Sequence, residues 1–303
     1  MKDLIIRNLK NLPGKKTKRK IVVFYVDDYG SVRIKDKSAY NNLKSAGIPM
    51  DETRFSQYDT LADKEDFHKL FDVLTSVKDS QGNHACFTPL AIAANPDFEK
   101  IEASGFKEYY REPFTRTLQR YGPAYDGVYD LWKQGIDENI FYPAYHGTEH
   151  INVKRFMDAL QGGIKSVHLA FKHESVAIPH FPEEMEIKQP TTTFFIEASE
   201  ENKKLAEDVK FGTKLFEGLF GFRSKQFTPG AGIYSPALEP ILAECGIKYI
   251  HVQRYFSYPL GKAYSEKNFY IMERKILKVK NILFAIVSLN LKAKMIIELP
   301  TNA

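Results

Sequence analysis

Ile21-Val22-Val23-Phe24-Tyr25-Val26 runs without a polar break, and its β-branched and aromatic residues do not alternate with polar ones. A run of this kind suits a strand covered on both faces, as in a parallel sheet, so it is expected to be a core strand. Asp27-Asp28 follows at once, and Tyr29-Gly30-Ser31 supplies a turn, which puts two carboxylates at the strand's carboxyl end, where α/β folds place their chemistry. Similar runs near 21–26, 85–93, 140–145, 166–171, 193–198, 224–228 and 247–252 alternate with helical patterns at 36–46, 63–77, 153–161, 200–218 and 236–245. That is the form of repeated βα units. With 303 residues, 43% hydrophobic, and no Gly/Ser/Pro-rich linker through the middle, the pattern predicts one α/β barrel domain over 21–303 behind a short basic extension, 1–20.

The second run, Ile140-Phe141-Tyr142-Pro143-Ala144-Tyr145, ends at His146, and Gly147 permits a sharp turn. His150 lies four residues on. If it sits in the first turn of the next helix, both imidazoles share one face. Two imidazoles and one carboxylate form the ligand set of a mononuclear zinc-type site with its fourth position open to water, and a second carboxylate is left for proton transfer. Taken singly, Asp27-Asp28 reads equally as a turn and helix cap, and His146-x3-His150 as two surface histidines. Their recurrence at two strand ends favours metal-assisted hydrolysis.

These residues resemble a known family. Tyr25-Val26-Asp27-Asp28-Tyr29-Gly30 is similar to the Thr-Phe-Asp-Asp-Gly motif of polysaccharide deacetylases, the NodB-homology or family-four carbohydrate esterases, and His146-Gly147-Thr148-Glu149-His150 is similar to their His-Ser/Thr-x-x-His motif. The resemblance, which spans roughly 20–255, implies a distorted (β/α) barrel of about seven strands. It implies Asp27 as catalytic base, Asp28, His146 and His150 as ligands of a divalent metal, most simply zinc, and an acetylated carbohydrate as substrate. The frame from Leu131-Trp132-Lys133-Gln134-Gly135-Ile136 to His146 is similar to a bacterial subgroup associated with surface-polysaccharide gene clusters. Three departures stand out. Gly147 replaces the usual hydroxyl residue, with Thr148 one position later as a substitute. The Arg-Pro-Pro-Tyr motif has its nearest match at Phe227-Thr228-Pro229-Gly230-Ala231-Gly232, where a backbone amide can still act as an oxyanion donor and Pro229 and Tyr234 are candidate substrate contacts. The late general-acid His is missing: His251 is the last histidine, a strand-end or core residue by its context, and the chain reads as a family member shortened at its C-terminus. A catalytically impaired relative that binds a glycan or protein partner is the alternative.

The remaining signals are weaker. Asn95, in Asn95-Pro96-Asp97-Phe98 at another strand end, can bind sugar hydroxyls or cap a helix. His68 reads as part of a solvated helix face, His84 as a turn residue, His168 as a satisfied buried histidine within a strand, and His173 and His180 as loop residues. Cys86 and Cys245 suit a reducing compartment and no disulfide framework, which points to the cytoplasm. Residues 1–20 carry a basic cluster, Lys15 to Lys20, suited to a solvated linker or weak attraction to an anionic membrane surface. Leu4-Ile5-Ile6 is too short for a signal-peptide core. A net charge of +5 is modest and local, which disfavours nucleic acid.

Overall fold

The computed structural model describes residues 22–176, 178 and 191–252 and, beyond them, the backbone of three short strands. The basic extension and the anticipated C-terminal shortening lie outside the described residues. In chain order the strands are β1 Phe24–Tyr29, β2 Phe87–Ile92, β3 Ala94–Pro96, β4 Arg111–Pro113, β5 Ala144–Gly147, β6 Gln226–Phe227, β7 Tyr249–Val252, β8 Tyr255–Pro259, β9 Ser265–Phe269 and β10 Asn281–Phe284. The helices are α1 Lys37–Ser45, α2 Arg54–Tyr58, α3 Lys64–Thr75, α4 Phe98–Ala103, α5 Phe114–Arg120, α6 Val128–Asp137, α7 Val153–Gln161, α8 Lys165–Lys172, α9 Glu201–Phe220 and α10 Glu239–Glu244.

β1, β2, β5, β6, β7 and β10 form one six-stranded sheet in that order, and every neighbouring pair is parallel. Strand order follows chain order without reversal. A doubly wound sheet reverses at a switch point and carries helices on both faces; a sheet that never reverses, with right-handed crossovers, puts its helices on one face, as barrels do. Curvature agrees. Gln226 on β6 donates a side-chain hydrogen bond to the Tyr25 hydroxyl on β1, although two strands stand between them in the sheet, which would separate them by about 14 Å if it were flat. The fold is thus α/β and (β/α) barrel-like, with six parallel strands among the described residues against about seven expected.

Three expectations change. The segment 166–171 is helix α8, not a strand: its buried residues Val167, Ala170 and Phe171 recur at three and four, the helical period, and the short polar alternation around His168 was misleading. His168 Nε2 lies 2.8 Å from the Leu160 carbonyl. The segment 193–198 carries no strand, yet Phe194 and Ile196 are buried. β1 is less covered than its composition suggests. Within it Phe24 and Val26 are 49% and 41% exposed, and β1 pairs only with β2 among the described residues.

The main core lies between the sheet and α3, α5, α6 and α9. Trp132 of α6 packs against Phe67, Phe114, Phe141 and Phe220, with ring centroids 5.0–5.8 Å apart. Gly135, one turn further along α6, admits that closeness: a Cβ there would lie 2.6 Å from Phe71 and 2.7 Å from Phe141. No helix among the described residues is long and apolar enough to cross a membrane.

Candidate metal centre

Between Val26 and Tyr29, β1 advances three residues while β2 advances two, from Pro89 to Ala91. The extra residue is a bulge, and Asp28 within it takes φ +70°, a left-handed conformation that Asp tolerates better than most residues. The bulge separates the two carboxylates. Asp28 turns into the half-buried interior, whereas Asp27 stays exposed at the strand end.

Sheet register brings the other groups beside it. Tyr145, Phe227 and Ile250 are paired neighbours on β5, β6 and β7, so the next residues on each strand, His146, Thr228 and His251, project together from the opposite face. His146 Nδ1 is 2.7 Å from the Thr228 carbonyl. A carbonyl only accepts, so Nδ1 carries the proton and Nε2 keeps its lone pair. His150 arrives differently from the expectation. Helix α7 starts at Val153 with Asn152 as its N-cap, so His150 lies in the loop after β5 and reaches the site by chain reversal at Gly147, φ +141°, not by helical spacing.

The result is a convergent triad. Asp28, His146 and His150 each offer a ligand atom, all within 4.8 Å of one another. Asp28 Oδ1 is 3.3 Å from His146 Nε2 and 3.0 Å from His150 Nε2. Asp28 Oδ1 and His146 Nε2 have no hydrogen-bond partner although both are buried, and two lone pairs facing each other at that distance call for a cation or a shared proton. Burial works to raise the Asp28 pKa, but His150, His146 and Arg33 override it and hold the carboxyl well below the usual range. Burial pushes His150 down to about 3. It opposes the charged form of His146 too, yet the neighbouring Asp28 carboxylate leaves that pKa raised. The donor set and its unpaired atoms fit a divalent ion of the zinc type.

Arg33 was not anticipated. Its Nη2 holds Asp28 Oδ2 at 2.7 Å and its Nε lies 3.2 Å from Asp59 Oδ2, which leaves Oδ1 aimed at the histidines. Nothing in an isolated Arg five residues after Asp28 signals this, because the contact depends on how the loop closes.

The three candidate substrate contacts separate into different roles. Asn95 is buried, accepts the Val32 N–H at 2.8 Å and donates to the Gly30 carbonyl at 2.9 Å, so its amide is spent on fixing the loop after β1. Asn95→Ala is expected to cost about 2–4 kcal/mol, because it leaves two buried backbone groups unpaired; a denaturant midpoint equal to wild type would contradict that. Tyr234 is 0% exposed and donates to Glu239, so it cannot meet a substrate here. Pro229 is buried and its carbonyl accepts from Gly232, but the turn it opens does adjoin the triad. A Cβ on Gly230 would lie 3.2 Å from His150 Nε2, and Ala231 is left-handed at φ +55°. His251 Nδ1 is 3.4 Å from Thr228 Oγ1 and its ring packs on Tyr25 at 5.1 Å. Burial lowers its pKa, against the pull of Asp27.

Behind the triad, the loop is tied to α9. Thr148 Oγ1 donates to the Asp208 carbonyl at 3.1 Å and lies 3.3 Å from the Tyr145 hydroxyl, so the hydroxyl one position after Gly147 ties the loop to α9. Glu149 faces outward from the triad to Arg111, 2.6 Å away; burial lifts its pKa to about 7 against that pairing. Gly212 of α9 sits directly on this loop, and a Cβ there would overlap both Thr148 Oγ1 and the Tyr145 hydroxyl. Gly212→Ala is expected to lose about 2–3 kcal/mol through overpacking, read as a lowered melting temperature; an unchanged melting temperature would show that α9 can shift freely.

Comparison with known proteins gives limited overlap. The profile of glycosyl hydrolase family 57 matches residues 187–278, a different family from the one the motifs resemble. No curated protein matches the chain. Similar solved structures include a 4-alpha-glucanotransferase from Thermococcus litoralis, at 10% identity and TM-score 0.35 over 76% of this chain and 22% of that one. IcaB from Ammonifex degensii has 12% identity and TM-score 0.29, over 77% and 85%. A de-N-acetylase from Aggregatibacter actinomycetemcomitans has 11% identity and TM-score 0.31, over 77% and 86%. The chain spans about a fifth of the glucanotransferase's length. The functional reading therefore rests on the chain's own residues.

Proposed function

We propose that the protein is a metal-dependent carbohydrate deacetylase of the cytoplasm that removes acetyl groups from an acetylated sugar or polysaccharide precursor. The observation that carries this reading is the convergence of Asp28, His146 and His150 beside an exposed, unligated Asp27. A divalent ion held by those three side chains supplies a Lewis acid for the acetyl carbonyl and acidifies the attacking water. The chain's residues do the rest. Arg33 and the Thr228 carbonyl hold the ligands in place. Asp27, whose charge is felt by both His146 and His251, accepts the proton of the attacking water. The turn at Gly230–Ala231 adjoins His150, and its backbone amides serve as donors to the developing oxyanion. The leaving group needs a proton back. Asp27, protonated by the attacking water, is the group that returns it, so one carboxyl serves as base and then acid.

The test is acetate release from a panel of N- and O-acetylated sugars by wild type, by chelator-stripped protein and by His146→Ala. Release that is lost on stripping, restored by a divalent ion and absent in the variant supports the reading. Release that survives stripping, or its absence from the whole panel in loaded protein, contradicts it.

A further inference from the structure

The two histidines of the triad are held in different ways. His146 is fixed through its own ring, whose Nδ1 donates to the Thr228 carbonyl at 2.7 Å. A metal-binding imidazole normally has such a partner on its second nitrogen, and that partner sets the orientation of the ring. His150 lacks one. Its Nδ1 is buried and has no hydrogen-bond partner among the described residues, so its aim depends on the backbone that carries it.

That backbone is anchored at the residue before. The buried Glu149 carboxylate meets Arg111 Nε at 2.6 Å. The other end of the guanidinium reaches α9, with Nη1 and Nη2 3.3 and 3.2 Å from Asp208 Oδ1. The rings of Tyr109 and Phe211 lie against it at 5.5 and 4.9 Å, so packing as well as charge fixes it between the two carboxylates. A planar fork can bridge two such groups, and a single ammonium cannot hold both. Arg111 itself stands on β4, opposite Pro96 of β3. Where the chain enters β3, the Ala93 and Ala94 N–H groups donate to the Gly147 and Thr148 carbonyls at 3.3 and 2.7 Å. The small sheet β3–β4 therefore grips Gly147, Thr148 and Glu149 in succession, immediately ahead of His150.

We propose that Arg111 is a positioning residue for His150: through Glu149 it fixes the chain that aims the imidazole, in place of the ring bond that His150 lacks. The inference rests on the metal centre of the reading above and extends it to residues outside the triad, whatever the substrate.

The experiment titrates chelator-stripped wild type, Arg111→Met, Arg111→Lys and Leu74→Ala with cobalt(II), whose visible absorption reports the geometry of its ligands, and records the melting temperature of each metal-free protein. Leu74→Ala is the control for stability alone, because it truncates a buried residue of α3, a helix that carries no ligand. Arg111→Met is expected to raise the cobalt dissociation constant about 10–100-fold and to change the spectrum, and Arg111→Lys to recover part of both. Leu74→Ala should lower the melting temperature and leave both at wild type. Wild-type affinity and spectrum in Arg111→Met, or the same changes in Leu74→Ala, would overturn the assignment. If Arg111→Met does not fold, Arg111→Lys is read alone against those two outcomes. If wild type takes up no cobalt, the metal reading falls, and the nitrogen-15 signals of the His150 ring in the metal-free proteins decide. Signals displaced in Arg111→Met and unmoved in Leu74→Ala would sustain the positioning role, and signals unmoved in Arg111→Met would overturn it.

Discussion

Asp27→Asn is expected to lower kcat about 10²–10⁴-fold, the usual contribution of a positioned acid–base group, while metal content stays at the wild-type level. The separation follows from the bulge in β1. Asp28 turns inward to the histidines and Asp27 remains on the exposed side of the strand end, so the amide replacement removes a proton acceptor without touching a ligand. His251→Ala serves as the contrast. Its ring contacts Thr228 and Tyr25 and no ligand atom, and turnover is expected to stay within a few-fold of wild type, well short of the loss at an acid–base residue. Pre-steady-state acetate release with both variants checks the pair. A large loss in His251→Ala, with a small one in Asp27→Asn, would reverse the assignment of the proton donor.

Arg33→Ala is expected to raise the metal dissociation constant about 10–100-fold, the range seen when a group that orients a metal ligand is removed. The guanidinium spans two carboxylates, with Nη2 on Asp28 and Nε toward Asp59, and it is itself mostly shielded from water. Removing it frees Asp28 Oδ2 and leaves Asp59, whose pKa burial already pushes up to about 6, without its counter-charge. Arg33→Lys should recover only part of the loss, because a single ammonium cannot hold two carboxylates in a fixed fork. Competition against a chelating dye measures both. A dissociation constant equal to wild type in Arg33→Ala would show that the histidines alone orient the site.

Much of the site was legible in the sequence because its residues sit where strand runs end. Asp27-Asp28 and His146 follow apolar runs closely enough that their place at the carboxyl ends follows from local pattern. His150 was legible as a partner but not in its geometry: spacing of four implies a helix face, whereas Gly147 and the Asn152 cap delay α7 until Val153. Asn95 and Tyr234 were misjudged for a shared reason. A polar group near a strand end reads as functional until its bonds are known, and here the Asn95 amide is occupied by Gly30 and Val32 while Tyr234 lies inside the core. Arg33, Thr228 and Gly212 act through tertiary contacts across 5, 82 and 64 residues, to Asp28, His146 and Thr148, and no local signal marks them. Helix α8 was lost to an accidental alternation, which six residues are too few to resolve.

The central claim is that Asp28, His146 and His150 hold one catalytic divalent ion. It is tested most directly by titrating chelator-stripped protein with zinc, reading stoichiometry and affinity by calorimetry for wild type and for Asp28→Ala, His146→Ala and His150→Ala, with circular dichroism to confirm that each remains folded. One ion per chain in wild type, with affinity severely weakened in all three folded variants, is the expected result. No saturable zinc binding in wild type, or binding of equal strength in the folded variants, would contradict it.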